Sequence, residues 1–113
     1  MSNVNRRIES ITVDTSAAIE RGFRVPCNCY LVSAGLAVNV AVTAATSNIT
    51  VEKNGTAITG LAFAVTTGRA IGYTEKDKPT SDTELREGDY LSVVGDGGGD
   101  AGNVTITFEL QEN

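Results

Sequence analysis

The sequence predicts an all-β fold, a single-domain antiparallel β-sandwich of jelly-roll type with a short flexible N-terminal arm. Three observations carry that expectation. Short runs of alternating apolar and polar residues recur along the chain, with Gly, Asn, Asp and Pro between them. The clearest run sets Val104, Ile106, Phe108 and Leu110 on one face and Thr105, Thr107 and Glu109 on the other. No stretch shows a sustained helical period, and 113 residues are too few to divide into two self-sufficient cores.

Taken in order, Met1 to Arg7 is polar and reads as a loose arm, leaving residues 8–113 for the sandwich. Ile8 to Val13 reads as a first strand, with Ile11 and Val13 on one face. Between Ala17 and Val25, Ile19, Phe23 and Val25 share parity. Gly22 marks a bulge or close backbone approach, and a Ser16-capped helix is the competing assignment. Pro26 ends that run. Asn28 to Thr46 carries no ionised group, which fits either a strand pair bent at Ala34-Gly35 or one long central strand, and equally an interface. Ile49 to Lys53, then Asn54-Gly55, then Thr56 to Ile58 is the strongest local signal. Both loop residues of a two-residue hairpin favour positive φ, so a type I′ turn is expected.

Gly60 to Val65 is a further apolar run, Thr66 to Gly68 a turn and Ala70 to Tyr73 a short strand. Thr74 to Asp82 is charged, contains Pro79, lacks periodicity and reads as an exposed loop. Arg86 to Asp89 is a tight turn into Tyr90 to Val94. The stretch from Thr83 to Leu110 then reads as a terminal hairpin, two alternating runs joined by a glycine-rich link, and as the spine of the core.

Composition bounds the function. The chain is 41% apolar and only 5% aromatic, so its core is built from Val, Ile, Ala and Leu, a thin core that oligomerisation would support. No run approaches the roughly 18 apolar residues of a membrane span, and MSNVNRRIES lacks a signal-peptide core, so a cytoplasmic start is expected. Residues 1–50 hold four arginines against three carboxylates, net +1. The remainder holds five basic and eleven acidic residues, net −6. Such an acidic body excludes a phosphate-backbone binder.

The chemistry-bearing residues are few. Cys27 and Cys29, two apart on a strand, share a face too closely spaced for an unstrained bridge, and read as reduced and packed. Without histidine they complete no zinc site in one chain. Asp96 and Asp100 within Gly95 to Gly102 invite a calcium reading, but their spacing fits neither an EF-hand nor a glycine-aspartate nonapeptide. A flexible, wet hairpin loop is expected instead. Glu84, Glu87 and Asp89 cluster at a turn, where solubility accounts for them better than acid-base catalysis. Tyr30, Tyr73 and Tyr90 lie in or beside strands and read as half-buried packing rather than a sugar platform. No catalytic residue, cofactor or metal is expected.

The order of motifs carries a resemblance. A strand after Val25-Pro26, the Ile49 to Gly60 hairpin, the Pro79-Thr80 loop, Glu87 to Val93, a glycine-rich tip and the closing Thr105 to Leu110 strand together resemble small β-sandwich capsid decoration, or cement, proteins of tailed bacteriophages. The similarity covers about residues 23–110. It implies a non-enzymatic virion protein, made in the host cytoplasm, that binds the major capsid protein on the outer shell surface and stabilises the mature capsid. It further implies a homo-oligomer, commonly a trimer, with no nucleic-acid or membrane partner. On that reading the arm, with Asn3, Val4, Arg6 and Arg7, and the low-charge segment, with Leu31, Leu36, Val38 and Val40, supply capsid or subunit contacts, while the loops around Glu75 to Glu87 and Asp96 to Asp100 face solvent. The alternative is a tail-fibre tip or receptor- or carbohydrate-binding module that recognises its target through loops.

Overall fold

The computed structural model describes residues 6–100 and 102–112. Among the described residues nine strands form two antiparallel sheets: β1 (Arg6–Asp14), β2 (Ala18–Arg24), β3 (Cys29–Val40), β4 (Ser47–Lys53), β5 (Thr56–Val65), β6 (Thr74–Asp77), β7 (Glu84–Leu85), β8 (Tyr90–Asp96) and β9 (Asn103–Glu112). One sheet has the order β1-β9-β3-β6, with β7 also paired to β3, and the other β2-β8-β4-β5. Apart from the β4-β5 hairpin, successive strands of the two four-strand paths change sheet, which is the wrapping of a jelly roll. The β-sandwich expectation therefore holds.

Alternation explains which side of each strand faces in. Val104, Ile106, Phe108 and Leu110 of β9 are fully buried, and Leu91 and Val93 of β8 and Ile49 and Val51 of β4 meet them from the other sheet as one apolar cluster. β3 is one continuous twelve-residue strand rather than a bent pair. Its register on β9 slips between Leu31 and Ser33 and again between Val38 and Val40, so Val32 and Asn39 are the extra residues of two bulges.

The Asn54-Gly55 turn forms as expected. Both residues have positive φ, 50° and 86°, and Lys53 pairs with Thr56. Asn54 also clasps Tyr90 from both sides: its backbone N–H donates to the Tyr90 carbonyl at 2.8 Å, and its side-chain oxygen accepts the Tyr90 N–H at 2.8 Å. This joins the hairpin tip to the start of β8.

Four expectations are corrected. β8 and β9 are not a hairpin: β8 pairs with β2 and β4, and β9 with β1 and β3. The glycine-rich link instead carries the chain from the middle of one sheet to the middle of the other. It passes so close to its neighbours that a Cβ on Gly97, which has φ +72°, would lie 2.5 Å from the Ala18 nitrogen. Within Thr74 to Asp82 the chain forms β6, a short edge strand held to Ala34–Ala37 of β3 by its backbone, so its charged side chains conceal it. Ala70 to Tyr73 is a turn, closed by the Tyr73 N–H on the Ala70 carbonyl at 3.0 Å. Finally, Arg6 and Arg7 belong to β1, paired with Gln111 and Leu110, rather than to an arm.

Candidate interaction surface

The outer face of the β1-β9-β3-β6 sheet is built mainly from residues that alternate with the core. Register places Ser10 beside Thr107 and Thr12 beside Thr105, and their hydroxyls pair at 3.2 and 3.0 Å. The Asn39 amide, on the second bulge, donates to Thr105 at 2.8 Å and to the Asn103 side chain at 2.9 Å. Gly35 and Ala37 of β3 and Thr74 of β6 extend this surface, whose middle is lined by short uncharged side chains. Its charged groups are Arg6, Asp14, Lys76 and Glu109, the last a hub that accepts from Arg6, from Ser33 Oγ at 3.2 Å and faces Lys76 Nζ at 3.4 Å. The Arg6 hydrogen bond is the main cause of a carboxyl pKa held below the ordinary glutamate value.

The positions expected to make contacts separate into four groups. Leu31, Leu36 and Val38 point into the sandwich and are no more than 4% exposed, so they are core. A run without charge reads alike whether its apolar side chains face a core or a partner. Val40, past the second bulge, is 46% exposed. The Gly72 N–H on the Val38 carbonyl, 3.0 Å away, brings the turn carrying Ile71, itself 73% exposed, to that same end of β3. Arg6 and Arg7 are engaged within the chain, Arg6 with Glu109 and Arg7 Nε with Glu112 at 2.8 Å. Asn3 and Val4 lie outside the described residues. Ile71 was missed because a lone isoleucine in a short run reads as strand packing.

Asp96 and Asp100 are clamps, which corrects the flexible-loop expectation. Asp96 accepts from Gly98 N at 2.9 Å and from the backbone and side-chain nitrogens of Asn48 at 3.0 and 2.9 Å. Asp100 accepts from the Thr43 hydroxyl, from Thr43 N at 2.7 Å and from Ala44 N at 3.2 Å. These donors hold both carboxyl pKa values below the ordinary aspartate value, the Gly98 N–H contributing most at Asp96 and the Thr43 hydroxyl most at Asp100. Carboxylates whose lone pairs are taken by N–H and O–H donors have few left to ligate a cation. Among the described residues no group of three or more Cys, Asp or Glu is arranged to hold a metal.

Asp89 is likewise structural, accepting from Arg86 N at 2.9 Å and Asn54 Nδ2 at 3.1 Å. Cys27 and Cys29 are free, and burial beside the Cys27 thiol pushes the Cys29 thiol up to about 11.

Along the β3 edge, the gap between β6 and β7 opens into a shallow cleft of about 420 Å³, lined by Tyr30, Leu31, Val32, Gln111 and residues Lys78 to Thr83. Tyr30 is 39% exposed there, with its hydroxyl 3.4 Å from Glu84, so it is not the half-buried packing residue expected. Tyr73 is partly buried as expected, under the Arg69 guanidinium 4.3 Å from its ring centre.

This fold defines the class: a jelly-roll β-sandwich with one sheet face lined at its middle by Ser and Thr. Among solved structures it is similar to a chain of the acid-stable capsid of Helicobacter pylori bacteriophage KHP30, with a TM-score of 0.70, 10% identity, and coverage of 94% of this chain and 86% of that one. A chain from the disulfide-linked pili of Bacillus endospore appendages aligns with a TM-score of 0.43, 17% identity and coverage of 99% and 93%. At such identities the first likeness shows a shared fold. No family model and no curated protein matches the sequence.

Proposed function

We propose that this chain is a structural protein of a bacteriophage virion that binds the outer surface of the capsid and stabilises the mature shell. The observation that carries the reading is the likeness over 94% of the chain to a chain of a phage capsid. The Ser- and Thr-lined middle of this sheet face, with Val40 and Ile71 exposed at its end, is suited to lie against a large protein surface. Stabilisation then comes from many identical modest contacts, each available only in the expanded lattice. Asn3 and Val4 remain proposed contacts of the same kind.

Purified protein added to capsids lacking it is expected to co-sediment and saturate at a copy number set by the lattice symmetry. Val40→Asp with Ile71→Asp is expected to lower the bound copies at least tenfold, by placing charge in a desolvated contact. A few copies per capsid, with no saturation, would overturn the reading.

The exposed Tyr30 in its cleft favours a second reading, a receptor-binding module that stacks a sugar ring. Binding on a glycan array that disappears with Tyr30→Ala is its expected result, and a blank array counts against it.

A further inference from the structure

The four sheet edges differ in how they are defended. β6 is four residues long, and β5 is bulged and partly covered, with the Thr80 N–H donating to the Thr59 carbonyl at 3.0 Å. β2 is interrupted by Gly22, whose Cβ would clash with the Leu91 carbonyl at 2.4 Å, and carries Glu20, Arg21 and Arg24. β1 is charged at Arg6, Arg7, Glu9 and Asp14 but lacks the other protections. It runs nine residues without proline, glycine or bulge, pairs in unbroken register with β9, and is uncharged from Ser10 to Val13. Among the described residues β9 is its only strand partner, and Ile8 on its outer face is 60% exposed. Long, regular, undefended edges are templates for strand addition.

We infer that the β1 edge pairs antiparallel with β1 of a second copy, about a two-fold axis through Ser10, to make one continuous sheet across the dimer. The register follows from charge. Such an axis keeps outer-face residues on the outer face, so Arg6, Ile8, Ser10, Thr12 and Asp14 meet one another. Centring on Ser10 sets Arg6 opposite Asp14 of the second copy twice over, Ile8 opposite Thr12, and Ser10 opposite itself. Shifting the axis to Glu9 or Ile11 leaves Arg6 facing Thr12 or Ile8 facing Asp14, and the charge match is lost. The outer faces of the two copies then join into a single Ser/Thr-lined surface. This inference does not depend on a capsid role.

Sedimentation equilibrium of the full chain over a range of concentrations tests it. The expected mass is twice that of the chain. Ser10→Lys puts two ammonium groups together on the axis and is expected to halve the mass without altering the circular dichroism spectrum, since Ser10 is exposed. Arg6→Asp alone is expected to dissociate the dimer, and Arg6→Asp with Asp14→Arg to restore it, an outcome a merely structural role for Arg6 would not give. A monomeric or trimeric wild-type mass, or a double variant no better than the single, would overturn the proposal.

Discussion

Phe108→Ala is expected to destabilise the fold by about 3–5 kcal/mol, as truncation of a fully buried aromatic ring does. That is a large share of the roughly 5–15 kcal/mol holding a domain of this kind together. Phe108 is completely buried at the centre of β9, opposite Ala34 of β3, and its ring stands 5.8 Å from that of Phe23 at an interplanar angle of 59°. The pairing matters because β9 is an inner strand of its sheet while Phe23 comes from β2 of the other sheet. The contact bridges the layers. With Ala34 opposite, no larger neighbour fills the space the ring would leave. Urea denaturation should show a lower midpoint with an unchanged slope. Phe23→Ala, at a half-buried position, should cost less, and the double variant less than the sum of the two. A loss under about 1 kcal/mol for Phe108→Ala would mean the core closes over the gap more freely than its packing allows.

Acid should unfold the protein in a narrow range. Asp89, Asp96, Asp100 and Glu109 all have folded pKa values lowered by donors in the native structure. A carboxyl with a depressed folded pKa contributes stability at pH above its unfolded value, about 3.9 for Asp and 4.3 for Glu. That contribution is lost as pH falls through the folded value, because the unfolded chain takes up the proton first. Stability from these groups is therefore level from neutrality to about pH 5 and declines below about pH 4. Solvent screening makes each contribution modest, but the four titrate in the same range and act together. Asp100→Asn should melt lower than wild type at pH 7, and the difference should shrink as pH falls through the lowered folded value of the wild-type carboxyl. A difference independent of pH would show that Asp100 acts through shape rather than charge.

These same residues show what the sequence could and could not reveal. The type I′ turn was legible because Asn54-Gly55 states its own backbone requirement locally. The buried face of β9 was legible because burial imposes a period of two whatever the neighbouring strand is. That indifference is also why the β8-β9 connection misled: two alternating runs around glycines look alike whether they pair or part. What distinguishes them is that Asp96 and Asp100 fasten the link to Asn48 and Thr43, contacts spanning about fifty residues. β6 was hidden because an edge strand bound through its backbone needs no apolar side chains. Leu31, Leu36 and Val38 were assigned to a contact surface because absence of charge marks cores and interfaces equally. Bulges at Val32 and Asn39 decide which of that segment faces out, and no local residue announces them.

The pairing of β1 with β9 has a consequence for how the protein comes into being. Residues 6–14 pair with residues 103–111, which lie far along the chain. β1 therefore has no sheet to join until β9 has been made. β3 waits too, since its main neighbour is also β9. Until β9 has been made, the apolar faces of β3, β4 and β5 stay exposed to chaperones and to one another. A prematurely terminated chain lacks the strand that unites one sheet, so it cannot pass as a smaller folded protein and stays open to proteases.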